Sequence, residues 1–417
     1  MSLLLKSALI SDFDSPYHHQ QCDILIDKGI IFSFEGKTAD QIVDLRGKIV
    51  CPGWFDLNAH FNDPGREYKE DIQSGSIVAA MGGFTDVQII ADTTPPIETK
   101  TDVEYVKHRS QSGVDLHVSS ALSKGLKGEN LCEILDLYHA GASSVSDGDY
   151  PIWNSKLLLN ALQYTSQIGL PIFQNPRDKN LSKNTDMHEG LVSTHLGMRG
   201  EPSLSEELTI KRDLDILKYA GGKLHFSKIS CTNSLELIND AKEKGLDVTA
   251  DVAIHHLLFT DESIGEFESN FKSIPPLRTD KDRKALLEGV RSGVIDAICS
   301  NHRPQDQENK QLEFDRAEPG AISLQTFYPS LLKIADIVSF DLLLPCITNG
   351  PRKILRHDSI KIDRSMPAKL TILDPECEWI LNSVSNKSKS INSPFWNQKL
   401  KGKVFGIVNG DFYNFFY

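Results

Sequence analysis

Apolar and polar positions change rhythm twice along the chain. Over residues 3–50 they alternate in short runs, such as Cys22-Asp-Ile-Leu-Ile-Asp27 and Ile30-Ile-Phe-Ser-Phe34 on either side of Lys28-Gly29, which predicts strands and turns without a long helix. From Pro52 apolar runs alternate with amphipathic stretches. Strands are predicted at 55–60, 85–90, 116–120, 143–146, 170–174, 224–229, 248–252 and 295–299. Helical periodicity at 68–81, 101–111, 154–168, 204–220, 234–244 and 280–291 separates most of them. About eight β/α units are the rhythm of a (β/α)8 TIM-like barrel, with a doubly wound open sheet as the competing arrangement.

After residue 350 the pattern returns to strands, at 368–373, 378–381 and 403–408. Their expected partners are the N-terminal strands. Residues 1–52 and 350–417 would then form one small β-sandwich domain, with the barrel of residues 53–349 inserted between them. The 184–203 segment is expected to be a long loop over the barrel mouth. Gly82-Gly83 reads as a helix cap, and the aromatic-rich tail 411–417 as packed on the small sheet or forming a subunit contact.

Composition narrows the classes. Of 417 residues, 40% are hydrophobic and 24% charged, as in a globular protein, and the net charge of −12 with no basic block argues against a nucleic-acid partner. Cys22, Cys51, Cys132, Cys231, Cys299, Cys346 and Cys377 are odd in number and widely spaced. They read as free thiols of a reducing cytoplasm. The first residues lack a signal-peptide pattern and no apolar run nears ~20 residues, so the expectation is a cytoplasmic protein that does not span a membrane.

In a (β/α)8 barrel the reacting groups close the strands at their C-terminal ends. Here those positions hold Asn58 and His60, Asp92, Asp147, Gln174 with Asn175, Lys228, His255 with His256, and Asn301 with His302. Strand alternation would turn Asn58, His60 and Asn62 toward one site. Neighbouring His255 and His256 would point to opposite faces. A hydrolytic metal site needs imidazoles and carboxylates converging on an ion, and amides with a lysine cannot supply it. Lone His60 is either a ligand or a hydrogen-bonded structural group.

The chain resembles the class I dihydroorotases of the amidohydrolase superfamily over nearly its whole length. The resemblance is carried by Gly47-Lys-Ile-Val-Cys-Pro-Gly-Trp-Phe-Asp56, Glu67-Tyr-Lys-Glu-Asp71, Gly82-Gly-Phe-Thr85, Pro275-Pro-Leu-Arg278, Pro319-Gly320, Ser388-Lys-Ser-Ile-Asn-Ser-Pro-Phe395 and Gly402-Lys-Val404. The family's His-x-His-x-Arg, two metal ligands and a substrate-carboxylate arginine, falls on Asn58, His60 and Asn62. Its substrate-binding asparagine falls on Asp92 and its Asp-Asp-Gly on Ser146-Asp147-Gly148. Two further histidine ligands fall on Gln174 and Lys228, and its general base on Asn301.

By this resemblance the ligands left are His60 and Asp147 at most, and the substrate-pocket positions are Asn62, Asp92, His302, Pro319 and Gly320. Asn301 cannot take a proton as a general base must. Lys228 beside Asp147 would balance that carboxylate in place of an ion.

The expectation is a dihydroorotase-like protein of pyrimidine biosynthesis, inactive and without a cofactor. It would be homo-oligomeric and retained as a structural or regulatory partner of aspartate carbamoyltransferase, the partner that the resemblance implies. The alternative is an active dihydroorotase or related cyclic amide hydrolase, converting dihydroorotate to carbamoyl aspartate with zinc or an atypical site. In a metal-free version of that site His60, Asp147 and Lys228 would act together. A third possibility is a protein that only binds a small ligand in the old pocket.

Overall fold

A computed structural model describes residues 2–36, 38–109 and 112–416. Met1, Lys37, Ser110, Gln111 and Tyr417 lie outside the described residues, and with them the end of the helix expected at 101–111 and the last residue of the aromatic tail. The N-terminal strands are β1 (Ser2–Ile10), β2 (Gln21–Asp27), β3 (Ile30–Ser33), β4 (Gln41–Asp44) and β5 (Ile49–Pro52). Then follow β6 (Trp54–Ala59), β7 (Phe84–Ile89), β8 (Asp115–Ala121), β9 (Ser144–Ser146) and β10 (Ile172–Gln174). A short pair, β11 (Met187–His188) and β12 (Gly200–Glu201), precedes β13 (Leu224–Phe226), β14 (Val248–Ala253) and β15 (Ala297–Cys299). The chain closes with β16 (Lys369–Ile380), β17 (Lys399–Asn409) and β18 (Phe412–Phe415).

Strands β6 to β10 and β13 to β15 pair in parallel in sequence order, eight strands in one sheet. The sheet bends round until its edges meet. The Asp56 carboxylate on β6 accepts hydrogen bonds from Ser300 N (2.6 Å) and Ser300 Oγ (2.5 Å), and His60 N donates to His302 O at 2.9 Å. This is the (β/α)8 barrel of the sequence reading, and it excludes the doubly wound open sheet.

Phe55 and Leu57 of β6 cluster with Phe173 of β10, Ala253 of β14, and Ala297 and Cys299 of β15. Strands this far apart in the sheet meet only in the lumen, so part of the barrel interior is apolar. Hydrogen-bonded polar groups share it, Gln88 Nε2 donating to Ser144 Oγ at 2.5 Å and His225 Nε2 lying 2.9 Å from Asp251.

Helix starts follow local chemistry. The helix Ile72–Met81 begins four residues later than expected because Asp71 caps it, its side chain accepting from Ser74 N at 2.7 Å, and Gly82 caps the other end. Gly83 is left-handed, and a Cβ there would lie 2.8 Å from Thr371 and 3.0 Å from the Trp54 ring. His255 and His256 lie in the short helix Ile254–Leu258 and not on a strand, so strand alternation does not apply to them.

The other sheet combines both chain ends. Its order is β18-β17-β16-β5-β1-β2-β3, with β4 also pairing with β1. The tail strand β18 pairs antiparallel with β17, and Phe415 packs against the apolar cluster of this sheet. Lys369 of β16 ties it to the barrel, donating to Asp86 of β7 at 2.8 Å, and Arg352 braces the same carboxylate at 2.5 Å. No helix among the described residues is long and apolar enough to cross a membrane.

Candidate active site at the barrel mouth

The segments that follow β6, β7, β9, β13 and β15 bring His60, Asp92, Asp149, Lys228, Asn301 and Arg303 together, all buried except part of Arg303. His60 Nδ1 lies 3.1 Å from an Asp92 carboxylate oxygen, and His60 Nε2 lies 3.6 Å from Asp149. Asp149 is the hub. Lys228 Nζ donates to its Oδ1 and Arg303 Nη1 to its Oδ2, while Asn175 Nδ2 donates to Oδ1 at 3.4 Å. The ammonium of Lys228 also donates to Asn301 Oδ1 at 3.4 Å.

Burial opposes ionisation of Asp149. Lys228, Arg303 and His60 outweigh it and hold the carboxyl far below the usual carboxylate range. At Asp92 burial again pushes upward, and His60 with Arg303 more than reverses it. Two carboxylates thus face two permanent cations, and the site is balanced from within.

The backbone aims these groups. Lys228 and Asn301 both adopt left-handed conformations, with φ of 56° and 49°. The bend at Lys228 is held by its N–H donating to Asp251 at 2.6 Å, and Asp251 in turn bonds His225 Nε2 at 2.9 Å. His225 is therefore a core group that braces the turn carrying the lysine.

Several expected site residues are elsewhere. Asp147 is fixed by Ser123, accepting from its N at 2.8 Å and its Oγ at 2.5 Å, and burial pushes its pKa up to about 6 against those bonds. The acid beside His60 and Lys228 is Asp149, two residues on, because β9 ends at Ser146 and strand alternation stops there. Gln174 turns away, accepting from Ile152 N at 2.9 Å and donating to Asp213 at 2.7 Å. Asn58 is buried and its Oδ1 has no hydrogen-bond partner. The strand that carries it ends at Ala59 and Asn62 is left-handed, so the alternation expected to align Asn58, His60 and Asn62 breaks before Asn62.

A cavity of about 460 Å³ opens over the hub, lined by Asp92, Asp149, Arg303 and Pro319 among others. Asn62, His302 and Gly320, expected in the pocket, are not among its lining residues. His302 is wholly buried, accepting from Ser323 N at 3.1 Å, while Gly320 N donates to Lys272 O at 2.8 Å and Gly320 O accepts from Asn392 Nδ2 at 3.0 Å. The mouth segment is more ordered than a loop: β11, β12 and the helix Leu191–Leu196 lie within it. Glu201, paired with Arg177 and Arg278, closes one wall.

Missed from the sequence were Asp149, Arg303 and the pairing of Glu201 with Arg177 and Arg278. The available signal was a second acid after Gly148 and an arginine two positions past Asn301.

His60, Asp92 and Asp149 each offer a ligand atom, all within 4.8 Å of one another. That donor set suits one ion. The local charge does not: both Asp149 oxygens already accept from permanent cations, and a divalent ion would meet Lys228 and Arg303 at close range. The residues present therefore do not fit a resident metal while Lys228 and Arg303 stay in place.

A closed parallel barrel with ionisable groups gathered at the C-terminal strand ends is the architecture of barrel enzymes. A dihydro-orotase-like family model matches residues 47–234. The dihydroorotase of Aquifex aeolicus (strain VF5) is 38% identical over 412 residues, 97% of each chain, and that of Geobacter sp. (strain M21) is 36% identical over 419 residues, 98% of each. The chain belongs to the dihydroorotase family. Among solved structures, L-hydantoinase (dihydropyrimidinase) from Arthrobacter aurescens superposes with a TM-score of 0.86 at 21% identity. It covers 99% of this chain and 95% of its own. Dihydropyrimidinase from Brevibacillus agri NCHU1002 gives 0.83 at 16% identity, again with 99% and 95% coverage. These likenesses concern the fold.

Proposed function

We propose that this chain is a non-hydrolytic member of the dihydroorotase family, a protein of pyrimidine biosynthesis that keeps the barrel and its pocket without metal-dependent ring opening. One observation carries the reading: Lys228 and Arg303 take both oxygens of Asp149, the carboxylate that faces His60. Asn301, hydrogen-bonded to Lys228, supplies no base. A structural or regulatory role beside aspartate carbamoyltransferase rests on the family resemblance.

A second reading is an active dihydroorotase, or a related cyclic amide hydrolase, converting dihydroorotate to carbamoyl aspartate. The names of relatives matching 97–98% of the chain favour it over the first, and it requires zinc to displace Lys228 and Arg303 from the His60–Asp92–Asp149 donor group. Chain purified without chelator, with and without added zinc, should be analysed for metal and assayed with dihydroorotate and carbamoyl aspartate. Bound zinc with turnover well above a protein-free blank establishes the second reading and ends the first. Metal-free, inactive protein that co-elutes with aspartate carbamoyltransferase supports the first.

A further inference from the structure

At the opposite end of the barrel lies a cavity of about 620 Å³ whose chemistry the mouth does not use. Its walls come from the start of β8, from Ser143 just before β9, from Leu170 and Pro171 just before β10, and from the turn after the helix Asn349–Ile354. These are N-terminal strand ends, and this volume fits a small organic ligand.

The lining contains Lys107, Arg356, His117 and His357 and not one Asp or Glu, in a chain of net charge −12. The acids behind it are already matched. Asp86 pairs with Arg352 and Lys369 and lies 3.1 Å from Nε2 of His117 in the lining, and Lys369 also pairs with Asp115. Among the described residues Lys107 and Arg356 have no carboxylate within 4.0 Å, so two strong cations face the cavity uncompensated.

Two glycines seat those cations. A Cβ at Gly141 would lie 2.3 Å from Lys107 Nζ, and one at Gly169 would lie 1.5 Å from Arg356 Nη1. Arg356 Nη1 also donates to Gly169 O at 3.1 Å, which fixes the guanidinium at the rim. Beside them stand flat rings: His117 and His357 meet edge to face at 4.7 Å, and Tyr138 is partly exposed.

We infer that this cavity is a second ligand site, which binds a phosphorylated small molecule of nucleotide size. The phosphate lies between Lys107 and Arg356, and the organic part lies against the histidine and tyrosine rings. The cavity is larger than a lone phosphate needs. Its position away from the barrel mouth makes the site independent of whether the mouth is catalytic.

Calorimetric titration of the full chain at low salt with AMP and with inorganic pyrophosphate tests this. AMP is expected to bind more tightly than pyrophosphate, with affinity falling as salt rises. Lys107→Gln and Arg356→Gln each remove one charge-assisted contact and should weaken AMP about tenfold, the double variant abolishing binding. Both side chains are exposed, so unchanged melting curves should accompany the loss, and Lys401→Gln on another surface should bind as wild type. The inference is overturned if neither anion binds, if pyrophosphate binds as tightly as AMP, or if the double variant retains wild-type affinity.

Discussion

Replacing Lys228 by methionine removes the ammonium and keeps much of the side chain's volume. Lys228 is 1% exposed and Asp149, at the edge of the mouth cavity, 8%, so water compensates little when either partner is lost. Breaking a buried ion pair by deleting one partner costs about 3–5 kcal/mol. Asp149 still has Arg303 in the variant, which places Lys228→Met at the lower end, about 3 kcal/mol. Asp149→Asn is worse, because it leaves Lys228 and Arg303 facing each other around a neutral amide. It belongs near the upper end, about 5 kcal/mol. The double variant should cost less than the sum of the two, since both remove the same pair.

Urea unfolding followed by tryptophan fluorescence measures this ordering. Asp149 titrates far below its unfolded value of about 3.9, so its contribution is present in full above that pH and is lost as pH falls toward the folded value. The gap between wild type and Asp149→Asn should therefore narrow below about pH 4. The reasoning fails if Lys228→Met lies within about 1 kcal/mol of wild type, a size typical of exposed pairs, or if Asp149→Asn is the milder change.

Zinc should raise the melting temperature of Lys228→Met more than that of wild type, because the ammonium no longer competes at the His60–Asp92–Asp149 group; equal shifts would remove the lysine as the obstacle. Gln174→Ala should cost about 1–3 kcal/mol in denaturant titration by stranding Ile152 N–H and leaving the Asp213 carboxylate with Arg212 alone, with no change in metal content. Burial raises Asp147 to about 6, so as pH climbs from about 4 to 6 the unfolded chain ionises first and the fold loses on the order of 2–3 kcal/mol. Stability curves of Asp147→Asn should lack that loss, and an unchanged pH profile would show that the carboxyl is solvated.

The barrel was legible because its signal is repetitive. Eight apolar runs separated by helical periodicity specify β/α units, and the reversion to strands at both ends specifies a shared sheet. Boundaries were less legible where one hydrogen bond sets them, as at the Asp71 cap. His255 and His256 were misplaced for a related reason: the apolar run of β14 continues into a short helix, and hydrophobicity alone does not mark the change of period.

The mouth was legible in its residue types and not in its pairings. Lys228 was expected beside a carboxylate and is; the partner differs because a three-residue strand ends before the Asp-Gly-Asp turn. In that turn Gly148 is left-handed, so direction cannot be extrapolated from strand alternation, and Ser123 on a neighbouring loop claims Asp147 first. That choice has a chemical consequence. With Asp147 consumed by Ser123, Asp149 is the carboxylate left for both cations, and Asn301 joins it as a neutral acceptor for Lys228. An aspartate at position 301 would put a second anion beside Lys228 and shift the local charge toward what a divalent ion neutralises. The lysine and the asparagine therefore fit one another electrostatically, and changing either alone should unbalance the site more than changing both.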